Sequence, residues 1–222
     1  TAQGCAALVN ASGLPNSTTV ITLATMNAAT ATVAEHCQID GAMNQRTGVD
    51  GQPYAIKFRL RMPTNWNGRL YMGGGGGSNG SVVDPVNTAA QGTTMISLGY
   101  ATLGTDSGHD NAVDNNPNAA GTASFGADPQ ARIDFGYNSY DQTVQAGKAL
   151  IGKYYGKVPD RSYFAGCSEG GREAMVMSQR FPTHFDGIVA GDPGFHLPLG
   201  AMAGAQGSQS FAAVARAQHD FE

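Results

Sequence analysis

The most informative part of this sequence is residues 163–171, which read Tyr163-Phe164-Ala165-Gly166-Cys167-Ser168-Glu169-Gly170-Gly171. Residues 166–170 fit the pattern G-x-S-x-G, in which a serine lies on a sharp turn between a strand and a helix. Glycines on either side of the serine remove the Cβ atoms that would clash in such a turn. The flanking residues predict a strand over 161–166 and a helix over 169–180 that ends before Pro182. This context predicts a nucleophile elbow carrying Ser168, and the structural alternative is a capping serine at a glycine-rich helix start.

The segments on both sides of this motif alternate between strand and helix patterns. Alternating apolar and polar residues predict a strand over 53–62, and short apolar runs predict strands over 69–72, 100–104 and 185–191. Helical patterns cover residues 86–98 and a longer segment that begins at Asn138 or Ser139 and ends at Gly156, whereas residues 105–130 predict a long loop. This order predicts an α/β-hydrolase core: a mostly parallel sheet with helices on both faces.

We expect three parts along the chain. Residues 1–50 are rich in Ala, Thr and Asn, and they predict one strand over 19–26 and otherwise mostly loop. Residues 51–200 carry the α/β-hydrolase core with its elbow. Residues 201–222 have weak helical character and no final strand, so we interpret them as a truncated tail or the start of an insertion, with the last strands of the fold missing.

The composition excludes several classes of partner. The chain has 222 residues, of which 41% are hydrophobic, and its 13 basic and 17 acidic residues give a net charge of −4. A pI near 5.7 without a Lys/Arg cluster gives no electrostatic footprint for nucleic acid. No apolar run approaches the roughly 18 residues of a transmembrane segment.

The three cysteines leave two interpretations open. In a cytosolic protein, Cys5, Cys37 and Cys167 would be buried thiols. In an exported protein, a disulfide between Cys5 and Cys37 would stabilise a polar segment by about 3 to 4 kcal/mol in the chain-entropy model. We favour the second interpretation, which leaves Cys167 for a partner outside this chain.

An elbow of this kind needs an oxyanion hole. One backbone N–H donor comes from the residue after the nucleophile, here Glu169. The other comes from a loop after an earlier strand, and the run of glycines at 73–77 lies in the right order. On its own, that run would more readily be a flexible turn or linker, and its combination with the elbow favours the oxyanion loop.

The general base is the missing element. In α/β-hydrolases the acid and the histidine follow the serine along the chain. The histidines after Ser168 are His184, His196 and His219, and none lies in a setting that suits this role. His109 precedes the serine and fits a structural role, and Asp192 is only a weak candidate for orienting a histidine. We therefore expect this chain to be the N-terminal part of a larger enzyme.

Longer strings of residues point to a known family. They are Gly166-Cys167-Ser168-Glu169-Gly170-Gly171-Arg172-Glu173, Gln179-Arg180-Phe181-Pro182, Asp186-Gly187-Ile188-Val189-Ala190-Gly191, Lys57-Phe58-Arg59-Leu60-Arg61-Met62-Pro63, Gly108-His109-Asp110-Asn111-Ala112-Val113, Asp128-Pro129-Gln130-Ala131-Arg132 and Gly136-Tyr137-Asn138-Ser139-Tyr140-Asp141-Gln142. Over about residues 35–200 the sequence resembles the tannase and feruloyl esterase family, and most closely its mono(2-hydroxyethyl) terephthalate hydrolase branch.

The resemblance implies a serine esterase in which a large lid is inserted into the α/β-hydrolase core. It implies Ser168 as nucleophile, the N–H groups of Gly74 and Glu169 as oxyanion hole, and Cys5–Cys37 as an N-terminal disulfide. It also implies that Cys167 bonds a cysteine beside the catalytic histidine. That cysteine, the catalytic Asp and His, the lid and its structural calcium would all lie beyond Glu222, so no metal or cofactor is expected within this chain.

These observations predict a serine carboxylesterase that hydrolyses aromatic esters of the feruloyl, galloyl or mono(2-hydroxyethyl) terephthalate type through an acyl-enzyme on Ser168. We expect it to be secreted, periplasmic or anchored to the outer membrane. A second chain or segment would carry the Asp, the His and the lid. Asp192 replaces a small apolar residue of the terephthalate branch, which leaves the substrate open. The alternative is a catalytically incomplete fragment or binding module that lacks the Asp and His.

Overall fold

The computed structural model describes residues 1–84, 93–116, 118 and 120–219. Seven strands form one sheet in the order β1-β2-β3-β5-β4-β6-β7. The strands are β1 (Val20–Asn27), β2 (His36–Thr47), β3 (Pro53–Pro63), β4 (Arg69–Gly73), β5 (Ala101–Thr105), β6 (Arg161–Cys167) and β7 (Gly187–Gly191). The helices are α1 (Ala2–Ala7), α2 (Pro129–Ile133), α3 (Ser139–Tyr155), α4 (Glu169–Arg180) and α5 (Leu197–His219).

The sheet is mixed, and its parallel half carries the motif region. Strands β1, β2, β3 and β5 pair antiparallel, whereas β5, β4, β6 and β7 pair parallel. Helix α3 connects β5 to β6, and α4 connects β6 to β7. This architecture confirms the predicted α/β class and its hydrolase-type core. Because the carboxyl ends of parallel strands share one edge of the sheet, the ends of β4, β6 and β7 meet around the glycine run and the elbow.

The prediction that residues 1–50 are mostly loop is wrong, because they contain α1 and the long strand β2. Strand β2 shows no alternation, since most of its residues are buried whichever face they point to. Its polar residues have distant partners: Asn27 Nδ2 donates to Gln38 at 3.2 Å, and Arg59 Nε donates to Asp40 at 2.7 Å. β1 and β2 thus extend the same sheet as the later strands.

The helix before the elbow begins earlier than predicted. The side chain of Asp128, not of Asn138 or Ser139, caps the helical segment by accepting a hydrogen bond from the Ala131 N–H at 2.7 Å. A π turn over Asp134–Asn138 then joins α2 to α3, so Asn138 is already helical. The predicted end is confirmed, because Gly156 has the left-handed conformation, with φ of 77°.

The structure tests the predictions for residues 86–98 and 105–130 to different extents. The predicted helix over 86–98 falls largely outside the described residues, and its described end at 95–98 forms turns. The predicted loop at 105–130 is mainly irregular, although it includes a short 3-10 helix at Ser124–Ala127 and the start of α2.

The core lies between the sheet and the helices α1, α3 and α4. The helix predicted over 169–180 is α4, and it packs Ala174 and Met177 into this core. Gly147 of α3 lies so close to Leu103 of β5 that a Cβ atom would be only 2.6 Å from the leucine side chain. The core therefore holds both α3 and α4, the helix that follows Ser168, against the sheet.

The predicted disulfide between Cys5 and Cys37 is confirmed. Both cysteines are fully buried, and the bridge ties α1 to β2. Leu8, Ile21 and Ile39 belong to the same apolar cluster.

Helix α5 differs from the other helices because its described side chains are almost all exposed. They include Leu199, Met202 and Phe211. Within the residues described here, no helix combines the length and apolar character needed to cross a membrane.

We predict that replacing both bridged cysteines, as C5S together with C37S, lowers the free energy of unfolding by about 3 to 4 kcal/mol, because the reduced chain gains loop entropy when it unfolds. Urea-induced unfolding followed by circular dichroism measures this loss. The matched control is C167S, which removes an exposed thiol outside any disulfide and should leave the midpoint unchanged. Equal midpoints for the double variant and the control would contradict the stabilising role of the bridge.

Candidate active site

Ser168 has the strained backbone expected of a nucleophile elbow. Its φ of 59° and ψ of −115° lie outside the regions that L-residues usually adopt. The Ser168 N–H donates to Gly191 O at 3.0 Å, and Ser168 O accepts from Arg172 N at 3.1 Å. The side chain is exposed at the junction of β6 and α4. The capping alternative does not apply, because the Ser168 side chain makes no capping hydrogen bond to α4.

Glycines allow the strand and the helix to approach closely on either side of Ser168. A Cβ atom on Gly166 would collide with the backbone of Gly170, and one on Gly171 would collide with the carbonyl oxygen of Gly191. These contacts are between backbone atoms, so a small side-chain movement cannot relieve them. The glycines of the motif are therefore required by the packing of this turn.

The glycine run after β4 packs directly on the elbow. A Cβ atom on Gly74 would lie 2.6 Å from Gly170 Cα and 3.1 Å from Gly166 Cα. The Gly170 N–H donates to Gly75 O at 2.9 Å. We call residues 74–79 the glycine loop. Its contact with the elbow brings two groups of backbone N–H donors to the same edge of the sheet.

Hydrogen bonding distinguishes among these donors. Glu169 is the first residue of α4, and its N–H has no acceptor among the described residues. In the glycine loop, the Gly74 N–H donates to Ala165 O at 2.9 Å and the Gly75 N–H donates to Glu173 Oε2 at 3.0 Å. The N–H of Gly76 is the next along the loop, and within the described part of the chain it has no acceptor. The predicted use of Gly74 as an oxyanion donor would thus require its present hydrogen bond to break.

The side chain of Glu169 forms a buried ion pair with Arg172, one turn along α4. Arg172 Nε lies 2.9 Å from Glu169 Oε1, and the same guanidinium donates to the carbonyl oxygens of Phe135 and Gly136 at 2.9 and 3.0 Å. Hydrogen bonding to Glu169 helps to keep the pKa of Arg172 raised despite its burial. This pair anchors the first turn of α4 to the π turn before α3.

A buried polar chain beneath the glycine loop was missed by sequence reasoning. Glu173 Oε1 accepts from Tyr140 OH at 2.8 Å, the Tyr140 and Ser107 hydroxyl oxygens are 2.6 Å apart, and Asn79 Nδ2 donates to Ser107 Oγ at 2.6 Å. Burial raises the pKa of Glu173 to about 7. The sequence does contain a signal for the burial of Glu173: it precedes Ala174 and lies one turn before Met177, which places it on the core-facing side of α4.

No described histidine serves Ser168. His184 Nε2 lies 2.6 Å from Asp141 Oδ1, and His109 is buried and stacked on Phe125, with a pKa that burial lowers to about 4. His196 is exposed and makes no hydrogen bond to Ser168. The side chain of His219 lies outside the described residues. Asp192 is exposed and makes no hydrogen bond to a histidine in the described part of the chain.

Cys167 is exposed, and the structure contains no disulfide to it. Its partner outside this chain stays a prediction. Among the residues that the structure describes, no three His, Cys, Asp or Glu side chains are close enough together to hold a metal ion.

The chain is similar in sequence to several known esterases. The sequence profile described as "Tannase and feruloyl esterase" matches residues 37–217. Mono(2-hydroxyethyl) terephthalate hydrolase from Piscinibacter sakaiensis is 52% identical over 95% of this chain and 37% of that protein. A probable feruloyl esterase B-2 from Neosartorya fischeri is 34% identical over 74% of this chain and 28% of its own length.

Among solved structures, feruloyl esterase B from Aspergillus oryzae superposes with a TM-score of 0.69 at 26% identity, covering 87% of this chain and 37% of that one. The chain therefore spans roughly a third of the length of the relatives that it matches.

We predict that G74A and G76A, two variants of the same loop, differ sharply in stability. A Cβ atom at position 74 meets the elbow backbone, whereas one at position 76 meets nothing within 4 Å. The first variant should lose about 1 to 3 kcal/mol of unfolding free energy by overpacking, and the second should be nearly neutral. Thermal unfolding of both variants measures the difference, and similar losses would contradict the close contact between loop and elbow.

Proposed function

Because the chain belongs to the tannase and feruloyl esterase family, we propose that it supplies the nucleophile and the oxyanion donors of a serine carboxylesterase. The observation that carries this proposal is Ser168, an exposed serine held with φ of 59° between β6 and α4. Strain of this kind costs about 1 to 3 kcal/mol and persists only where the surroundings enforce it. Its position at the first turn of α4, beside the glycine loop, is the arrangement that acyl transfer requires.

In the proposed reaction, Ser168 Oγ attacks the ester carbonyl carbon while a general base takes the hydroxyl proton. Negative charge develops on the carbonyl oxygen, where the Glu169 N–H and an N–H of the glycine loop stabilise it. We assign the loop donor to Gly76, because the N–H groups of Gly74 and Gly75 already have acceptors. The base returns the proton to the leaving alcohol, and water then cleaves the acyl-enzyme to release the acid and restore Ser168.

The base and its acidic partner would come from a further segment or chain that also carries the lid. This proposal is supported by the described histidines, none of which hydrogen-bonds to Ser168, and by the relatives, which are much longer than this chain. Cys167 directly precedes the nucleophile and is exposed, so a disulfide to that segment would hold the histidine near Ser168.

We propose aromatic carboxylic esters as the substrate class. The relatives supporting it are named for mono(2-hydroxyethyl) terephthalate and for feruloyl esters, both of which join an aromatic acid to an alcohol. The terephthalate half-ester is the first choice among the feruloyl, galloyl and terephthaloyl types, because that relative matches this chain at 52% identity.

We also propose that the protein is exported. The buried bridge between Cys5 and Cys37 supports this, since stable disulfides form mainly in oxidising compartments. Secreted, periplasmic and outer-membrane-anchored locations all meet this condition.

The second candidate is a catalytically incomplete fragment or binding module. It is favoured by one observation, namely that no described side chain is placed to take the Ser168 proton. The two candidates differ in what the complete protein does, because a binding module would retain aromatic ligands without turnover.

We predict that S168A in the complete enzyme lowers kcat at least about 10³-fold, because removing the nucleophile leaves only binding and oxyanion stabilisation. Ester hydrolysis followed by release of the aromatic acid measures this loss. The matched control is S178A, which changes an exposed serine of α4 that bonds only Met175 O. Equal rates for the two variants would show that another group is the nucleophile.

We predict that the 222-residue chain alone hydrolyses activated esters at least about 10³-fold more slowly than the complete enzyme, because no described histidine hydrogen-bonds to Ser168 to act as its base. Rates on mono(2-hydroxyethyl) terephthalate, methyl ferulate and a galloyl ester then rank the substrates of the complete enzyme. Equal rates on simple aliphatic esters would contradict the aromatic substrate class. Full activity of the isolated chain would contradict the need for an external base.

A further inference from the structure

The polar chain beneath the glycine loop begins and ends in that loop. At one end, the Gly75 N–H donates to Glu173 Oε2 at 3.0 Å. At the other end, Asn79 Nδ2 donates to Ser107 Oγ at 2.6 Å, and Ser107 continues through Tyr140 to Glu173 Oε1. The segment between these ends contains Gly76, and the Asn79 N–H closes a turn onto Gly76 O at 2.9 Å. Both ends of the loop are thus linked to one carboxylate, although Asn79 Nδ2 also donates to Thr105 O at 3.1 Å.

One orientation of the two hydroxyl groups in this polar chain satisfies every donor, because either hydroxyl of the Ser107–Tyr140 pair can donate to the other. Asn79 Nδ2 and the Gly75 N–H can only donate, so hydrogen bonds run inward from both ends. If Ser107 donates to Tyr140 and Tyr140 donates to Glu173, every proton in the chain has an acceptor. Glu173 then accepts on both oxygens, as a carboxylate does, whereas an amide has one acceptor oxygen and a protonated carboxyl group turns one of its oxygens into a donor. Each donor in this buried chain would otherwise lose its partner, which costs more than an ordinary exposed hydrogen bond.

We infer that Glu173 is a positioning residue for the proposed ester hydrolysis, whose carboxylate anchors both ends of the glycine loop and thereby fixes the oxyanion-donating N–H against the elbow. This inference rests on the proposed function. Glu173 itself belongs to α4, the helix that begins directly after Ser168. The anchor therefore couples the position of the loop donor to the position of the nucleophile through one rigid element.

Three titratable or charged side chains act on the pKa of Glu173. Glu169 and Arg172 lie on its own helix, and Tyr140 of α3 is the titratable group that faces it from the neighbouring element. The glycine loop contributes only backbone groups at this point. Burial is the main cause of the raised pKa of about 7, and the Tyr140 and Gly75 hydrogen bonds oppose it. The carboxylate form, which the loop requires, therefore becomes populated as the pH rises through neutrality.

The decisive variant is E173Q in the complete enzyme, because glutamine keeps the shape but replaces one acceptor by a donor. We expect kcat to fall about 10- to 100-fold with KM within about twofold, since a misplaced oxyanion donor weakens transition-state binding and not substrate binding. Amide hydrogen exchange of the peptide covering residues 74–78 should become at least about 10-fold faster. The matched control is D134N, which changes another buried carboxyl group of raised pKa outside the loop, and it should alter neither quantity.

A second variant keeps the inference testable if E173Q folds poorly. Y140F retains the bond between Gly75 and Glu173 but disconnects Ser107 and Asn79 from the carboxylate. We expect it to accelerate exchange in the Asn79 half of the loop more than at Gly75, with a smaller fall in kcat than E173Q. A simple structural role would instead lower the folded fraction and change exchange across the whole sheet.

The pH dependence gives an independent readout. After correction for intrinsic exchange, protection of the loop amides should rise between about pH 6 and 8 in the wild type, as Glu173 ionises, and stay flat in E173Q. The inference would be overturned if protection of the wild-type loop amides did not change with pH. It would also be overturned if E173Q left kcat and loop exchange unchanged. If the wild type lacks ester turnover, the proposed function fails, and the exchange data still decide whether Glu173 anchors the loop.

Discussion

The rest of the site depends on the backbone of Ser168, which is held in a conformation that a non-glycine residue avoids. Three hydrogen bonds enforce it: the Ser168 N–H donates to Gly191 O, and Ser168 O accepts from the N–H groups of Arg172 and Gly194. Two of these partners lie at or just beyond the end of β7, so the elbow forms only when β6 and β7 pair in register. The strain at Ser168 is thus balanced by the assembly of the parallel half of the sheet.

The second constraint is electrostatic, and it opposes stability. The pKa of Glu173 is about 7 in the folded protein and 4.5 without burial, so the folded state holds the proton more tightly than the unfolded chain. The contribution of this group to stability is therefore lost as the pH rises from about 4.5 to about 7. The same rise creates the carboxylate that accepts hydrogen bonds from both ends of the glycine loop. The protonated form of Glu173 gives the greater stability, whereas anchoring of the loop requires the ionised form.

The sequence predicted the parts of the fold that local patterns encode. Helix α4 and strand β3 have strong periodicity, and the elbow has a motif whose glycines are needed for backbone contact. Strand β2 was missed because long-range partners such as Arg59 satisfy its polar residues, which removes the alternation on which prediction relies. The capping role of Asp128 was missed because the π turn hides the continuity of α2 and α3. Gly74 was chosen as donor by resemblance, but its bond to Ala165 depends on strand pairing that no local pattern shows.

The contacts that hold Ser168 and the glycine loop do not depend on the base that the proposed reaction needs. The elbow is held by β6, β7 and the first turn of α4, and the glycine loop by Glu173, Tyr140 and Asn79, all within the described residues. Among the described residues, no histidine takes part in either set of contacts. Under the proposed function, Ser168 and the oxyanion donors would therefore be preorganised independently of proton transfer, and electrostatic preorganisation is the contribution that remains when the base is removed. The segment proposed to bring an Asp and a His to Ser168 would have only to position the base, because the strained turn and the bonds between the loop and α4 already exist.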